Sequence, residues 1–203
     1  MAYDFLDIFA TPSVRAAQGP AAHFATERPS HRFTEAETGF IAERDSVYLA
    51  SVAENGWPYV QHRGGPPGFL RVLDETTLGF ADFRGNRQYI SVGNLTADGR
   101  VAMILMDYAH RQRLKILGHA RIVDVAADPA LAERLTVAGY RARVERAVLI
   151  RLQAFDWNCP QHITPRLTEA ELHVALAPVH RHIAELEAEV AQLRARLKLA
   201  GGA

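Results

Sequence analysis

Phe80-Ala81-Asp82-Phe83-Arg84-Gly85-Asn86-Arg87-Gln88-Tyr89 decides how this chain reads, because an apolar strand runs out there into a short polar turn. The turn is expected to open a helix at Asn86, running over about 86–95 and closed by Asp98-Gly99. A helix start presents N–H groups that no earlier carbonyl can take, beside the positive end of its dipole. With Arg84 and Arg87 as charged donors and Gly85 admitting close approach of the backbone, the junction has the chemistry of a phosphate site. The same residues also make an ordinary solvated connection with two surface arginines, and these ten positions alone leave both readings open.

Short strands surround that junction. Upstream, Val47-Tyr48-Leu49-Ala50-Ser51-Val52 and Trp57-Pro58-Tyr59-Val60-Gln61-His62 flank Glu54-Asn55-Gly56, and Asn-Gly between such runs predicts a hairpin because both residues tolerate positive φ. A second hairpin joins Phe69-Leu70-Arg71-Val72-Leu73 to Thr77-Leu78-Gly79-Phe80 across Asp74-Glu75-Thr76. Between them, Gly64-Gly65-Pro66-Pro67-Gly68 is neither a dinucleotide fingerprint nor a P-loop, since its prolines remove donors and no Lys-Ser/Thr helix follows. Downstream lie two longer strands over 101–106 and 113–123, a helix over 128–140 opened by Asp128-Pro129, and a last strand over 147–155. Ahead of them all, Thr34-Glu35-Ala36-Glu37 fits a capping box that starts a helix over 34–44. Strands outnumber helices without alternating with them, which disfavours a parallel doubly wound sheet. A small antiparallel barrel is the closure that removes exposed edges.

The 203 residues, 48% hydrophobic, suffice for one domain with a real core and an appendage. Residues 1–33, with Pro12, Pro20 and Pro29 and no sustained period, read as a short helix and an irregular arm. Residues 34–166 hold the barrel, and 167–203 form a helical extension. There Leu172, Leu176, Val179, Ile183, Leu186, Val190, Leu193 and Leu197 recur at alternating spacings of four and three, a heptad seam, with Glu185, Glu187, Glu189, Arg194 and Arg196 on other faces. Pro178 is expected to kink or restart that helix. The seam serves either to pack along the chain's own barrel or to pair with a partner, in two, three or four strands.

Twenty-three basic residues offset twenty-three acidic ones, which argues against nucleic acid as a partner. Cys159 has no second cysteine to pair with, no secretory leader is evident, and no apolar run approaches the ~20 residues of a membrane span. A reducing cytoplasm and no membrane are therefore the expectation. Cys159 and His162 have a metal-compatible spacing, but no second Cys/His pair completes a tetrahedral set, and no metal site is expected. Neither a Ser/His/Asp arrangement nor a close carboxylate pair stands out, which disfavours hydrolysis and leaves catalytic residues unassigned. His162 reads equally as a proton donor and as a surface histidine.

In order and spacing, several pieces over roughly 34–166 resemble the pyridoxamine 5'-phosphate oxidase-like family of FMN-binding split barrels. They are the helix before the first strand, Asn55-Gly56-Trp57-Pro58-Tyr59, Gly85-Asn86-Arg87-Gln88, Leu117-Gly118-His119-Ala120 and the late aromatic Trp157. The fold this implies is mainly β with flanking helices: an antiparallel split β-barrel, here carrying a long C-terminal helix. The implied cofactor is FMN, with Gly85-Asn86-Arg87-Gln88 in the place of the family's Gly-Ser-Arg-Lys phosphate turn. Arg87 matches, Asn86 puts an amide donor where the family has a hydroxyl, and Gln88 replaces a cation. Gln61-His62-Arg63-Gly64 matches the strand that presents backbone and a basic side chain to the flavin, with Arg63 offsetting Gln88, and Asp82 joins the set at the end of the strand leading into the turn.

The resemblance further implies a homodimer with FMN at the two-fold interface, each site completed by the neighbouring chain. The positions concerned are Arg113, beside the pyrimidine edge of the flavin, and Trp157 with Asn158, flanking the ring. Trp157 also reads as a core aromatic near a strand end. The implied activity is an FMN-dependent oxidoreductase acting on an unidentified small molecule, with NADH or NADPH as donor. The family's arginines that hold the vitamin phosphate near the C-terminus have no counterpart after Trp157, which argues against pyridoxamine phosphate as the substrate. A deazaflavin-dependent reductase, or a non-enzymatic flavin- or haem-binding stress or sensor protein with His62, His119 or His162 as axial ligand, would use the same fold.

Overall fold

Runs whose side chains alternate between core and surface form seven strands, each bounded by a turn or cap supplied by the local sequence. The computed structural model describes residues 5–19, 31–157 and 160–200. In chain order the elements are α1 (Phe5–Phe9), α2 (Pro12–Gln18), α3 (Glu35–Ala42), β1 (Ser46–Val52), β2 (Pro58–Gly64), β3 (Leu70–Asp74), β4 (Thr77–Phe83), α4 (Ile90–Ala97), β5 (Arg100–Asp107), β6 (Gln112–Val123), α5 (Pro129–Leu135), β7 (Val144–Trp157) and α6 (Glu169–Ala200). The strands make one antiparallel sheet in the order β2-β1-β5-β6-β7-β4-β3. The fold is mainly β, a split barrel with flanking helices and a long C-terminal helix.

The ladder does not close into a ring: β2 and β3 remain its edges among the described residues. Side chains make the connection across the split, because Arg63 on β2 reaches Asp82 on β4 at 2.9 Å. Inside the curl, Leu70, Leu78, Leu105, Leu114, Ile116 and Ile150 are wholly excluded from water. At a bulge between Leu117 and Gly118 the β6 backbone presses on β7, where a Cβ on Gly118 would lie 2.6 Å from the carbonyl oxygen of Arg151.

The capping box of α3 forms as expected: Glu37 accepts the Thr34 N–H at 2.9 Å, and the Thr34 hydroxyl oxygen accepts from Ala36 N–H. The first hairpin turns on Gly56 alone (φ 87), whose N–H bonds Ala53 O at 2.8 Å, while Asn55 stays at ordinary φ. Two short helices, α1 and α2, stand where one was expected, and most element ends shift by one to three residues; three shifts have a clear cause. Helix α4 begins at Ile90 instead of Asn86, because Arg87 and Tyr89 adopt left-handed φ values of 61° and 51° that cannot propagate a right-handed helix. Helix α5 stops at Leu135, where Thr136 turns extended. Strand β7 runs from Val144 to Trp157, beyond the expected 147–155, because β4 and β6 both ladder along it.

The chain divides into two units, Met1–Ile163 and Thr164–Ala203. The second contains α6, which continues through Pro178 and does not restart there. Among the described residues no helix is long and apolar enough to cross a membrane.

Candidate functional site

Alternation along β2 puts Tyr59, Gln61 and Arg63 on one side and Pro58, Val60 and His62 on the other. The first set forms one wall of a cleft of about 230 Å³, faced by Asp82 of β4, Arg146 of β7 and the segment from Gly85 to Val92. Asp82, only 3% exposed, sits at the floor. One of its oxygens accepts from Arg63 Nη1 at 2.9 Å, the other from Arg146 Nε at 3.1 Å, with Arg146 Nη2 at 3.0 Å. Arg146 Nη2 also donates to Glu145 Oε2 at 3.1 Å, so two carboxylates balance the two guanidiniums, and among the described residues the unmatched cation of the cleft is Arg87. Burial works to lower the pKa of Arg146, but its hydrogen bond to Asp82 and the charges of Asp82 and Glu145 raise it above the ordinary value, so the group stays charged. Arg63 Nε is buried with no hydrogen-bond partner.

The turn itself is shaped by its own side chains. Asn86 Oδ1 accepts the Gln88 N–H at 3.1 Å, an Asx turn that carries Arg87 into its left-handed conformation. Tyr89, the N-cap of α4, is also left-handed and offers no side-chain cap. Its ring lies under the Arg146 guanidinium, 4.6 Å from centroid to Cζ, and its hydroxyl donates to Glu145 Oε2 at 3.1 Å. The first residues of α4, Ile90, Ser91 and Val92, line the cleft, and the Tyr89 side chain caps none of their N–H groups. Arg87 is exposed at the rim with no ion pair among the described residues, and Gln88 lies beside it. Arg84 turns aside to Glu145, Nε to Oε1 3.6 Å, and does not line the cleft. Free amides at a helix start, an unpaired guanidinium at the rim and two more at the floor can bind a phosphate-sized anion.

Of the positions expected at a cofactor, Gln61, Arg63, Asp82, Asn86, Arg87 and Gln88 therefore meet in one cleft. Asp82 has both oxygens committed to arginines, so it positions them instead of meeting a ligand. His62 is on the opposite side of β2, its ring edge-on to Tyr48 at 5.6 Å. Gly64 ends the strand away from the cleft, where a Cβ would lie 3.2 Å from Asp45 O. Arg113 on β6 has a buried Nε without a partner, but it does not reach this cleft within one chain. Trp157 does not reach it either: its indole N–H donates to Glu37 Oε1 at 2.7 Å, and its ring meets Phe40 edge-on at 4.7 Å. Asn158 and Cys159 lie outside the described residues. His162 is exposed on a turn at φ 62°, and His119 faces a separate surface cavity with His31 and Arg151.

Sequence reasoning missed Arg146, Tyr59, Tyr89 and Ser91 as lining residues. Arg146 stands directly opposite Asp82 in the β4–β7 register, a pairing between strands 64 positions apart. Its one local signal is its place, with Glu145, just before the apolar run of β7.

The family model described as pyridoxamine 5'-phosphate oxidase matches residues 33–158. No curated protein matches the sequence significantly. Solved structures similar to this chain include HupZ from Group A Streptococcus (16% identity, 66% of this chain and 99% of that one, TM-score 0.47). Another is a protein from Clostridium acetobutylicum related to general stress protein 26, of the pyridoxinephosphate oxidase family (14% identity, 64% and 88%, TM-score 0.45). A third is an F420 reductase (22% identity, 57% and 93%, TM-score 0.41). At such identities and scores these likenesses carry no argument about ligands.

Proposed function

Because the chain belongs to the pyridoxamine 5'-phosphate oxidase family, we propose that it is a homodimeric FMN-binding oxidoreductase acting on a small molecule. The observation that supports this best is the cleft between β2, β4 and α4, with uncapped helix amides, the free Arg87 and a buried, unpartnered Arg63 Nε. Such donors suit a phosphate monoester and have little use in a dry structural contact. When bound, FMN supplies two-electron hydride chemistry on its ring.

In this reading Arg87 and the N–H groups of Ile90, Ser91 and Val92 hold the phosphate. Arg63 and Arg146 add N–H donors from the floor, kept in place by Asp82. Gln61, whose amide donates to His62 O and whose oxygen accepts from Tyr59, stiffens the β2 wall, and Asn86 and Gln88 fix the turn. Arg113, with its unspent buried Nε, together with Trp157 and Asn158, serves the neighbouring protomer's site. The Trp157 indole N–H is already given to Glu37, which leaves ring contact as its contribution. The His62 side chain lies on the other side of β2, which leaves backbone contact as the contribution of His62 and Gly64. A nicotinamide nucleotide is the proposed electron donor and the cytoplasm the proposed compartment.

The test is a visible spectrum of the purified protein and of protein titrated with FMN, followed by NADH or NADPH. Flavin bands that saturate and then bleach support the reading. No binding of FMN refutes it, and a deazaflavin or haem spectrum in the native protein would replace it.

A further inference from the structure

We propose that α6 pairs with the same helix of a second copy as a parallel, in-register, two-stranded coiled coil. The inference is independent of the flavin reading. The 32-residue helix carries its apolar stripe uncovered: Leu186, Val190 and Leu193 are 47%, 44% and 49% exposed. A stripe this narrow, held for more than three heptads, is the pattern of a helix seam. In heptad terms Leu172, Val179, Leu186 and Leu193 occupy d, while Ile183 and Val190 are the central a positions. β-Branched residues at a with leucine at d favour two parallel strands over three or four. Pro178 falls at c and Val174 at f, both off the seam, so neither interrupts it.

Charge chooses the occupant and its direction. Positions e hold His180, Glu187 and Arg194, and positions g hold His182, Glu189 and Arg196. In a parallel in-register pair each g faces the following e of the other helix, which brings Glu189 to Arg194 and His182 to Glu187, each twice by symmetry. No two like charges meet. In the fully overlapped antiparallel pair, e faces e and g faces g: Glu189 then meets only His182, and Arg194 faces His173. The pair of permanent opposite charges is satisfied in the parallel self-pair alone, so the seam encodes a second copy of this chain as its partner.

The test uses the full-length protein with Cys159→Ser as background. Leu193→Cys, at d, should oxidise to a covalent dimer in most chains, since the two sulfurs face each other in register. Antiparallel pairing would offset them by about 25 Å along the axis. Adding Arg194→Glu should lower the crosslinking rate several-fold, and adding Glu189→Arg to that variant should restore it. A spin label on Ala195→Cys, on the outer face, covers the case in which Leu193→Cys disturbs the seam: parallel pairing gives a distance below about 30 Å, antiparallel pairing one above it. Absence of self-crosslinking together with a long or absent distance overturns the proposal, as does crosslinking indifferent to both charge changes.

Discussion

Replacing Asp82 by Asn tests the arrangement at the floor of the cleft. The amide keeps one oxygen, enough for Arg63 or Arg146 but not both, and turns an NH2 donor toward the other guanidinium. A nearly inaccessible carboxylate that bridges β2, β4 and β7 thus becomes a donor-to-donor contact beside a guanidinium whose Nε already lacks a partner. Removing one member of a buried ion pair costs about 3–5 kcal/mol. The Arg63 and Arg146 side chains are 25% and 23% exposed, so water relieves part of the loss. The expected destabilisation is the lower figure, about 3 kcal/mol, or a fall in Tm of roughly 6–12 °C for a domain of this size. The assay is urea unfolding followed by tryptophan fluorescence, in which the exposed Trp57 gives a background and Trp157, packed against the core, reports the transition, with wild-type and Asp82→Asn compared at equal m. A loss below about 0.5 kcal/mol, the range of an exposed pair, would refute the reasoning that the carboxylate holds the split together.

Arg87→Ala should weaken FMN binding by about 1.5–3 kcal/mol with the unfolding midpoint unchanged, because the side chain is exposed and makes no ion pair among the described residues; flavin fluorescence titration reads the first and urea the second. Trp157→Phe should cost about 1–3 kcal/mol by leaving the buried Glu37 carboxylate short of a donor, again measured by urea unfolding, here with circular dichroism. The same pair has a pH signature: burial alone would raise the Glu37 pKa, but the bonds from Thr34 and Trp157 hold it below its ordinary value of 4.5. Its contribution to stability is therefore complete above about pH 4.5 and lost as pH falls through the lowered folded-state value, so the gap between wild type and Trp157→Phe should narrow on acidification through that window. Gly118→Ala should destabilise by about 1–3 kcal/mol, since the new methyl meets the Arg151 carbonyl, while Gly85→Ala, with open space around it, should fold as well as wild type.

How far the sequence disclosed this protein depends on how local each determinant is. The Thr34-to-Glu37 capping box and the Asp128-Pro129 helix start are satisfied within four residues, and both were legible. The strands of the hairpins were legible for the same reason, through alternation and a turn glycine. The start of α4 was not, because the left-handed Tyr89 that delays it stacks under Arg146 and bonds Glu145, partners 56 and more positions away. Moving the helix start from Asn86 to Ile90 still leaves the residues of its first turn, Ile90, Ser91 and Val92, lining the cleft. Asp82 was picked out as a cofactor position without its two arginines, since a carboxylate at a strand end does not reveal that side chains from two other strands will converge on it. Arg146 escaped notice because β7 was read as beginning at Ala147, three residues after its actual start at Val144.

The most direct trial of the central claim compares FMN with riboflavin, which lacks only the phosphate, by fluorescence quenching on the same protein. If the helix amides, Arg87 and the two floor arginines grip the phosphate, FMN should bind at least about a hundredfold tighter than riboflavin, the worth of two charge-assisted hydrogen bonds at the low end of their range. Equal affinities for the two, or none for either, would contradict the account.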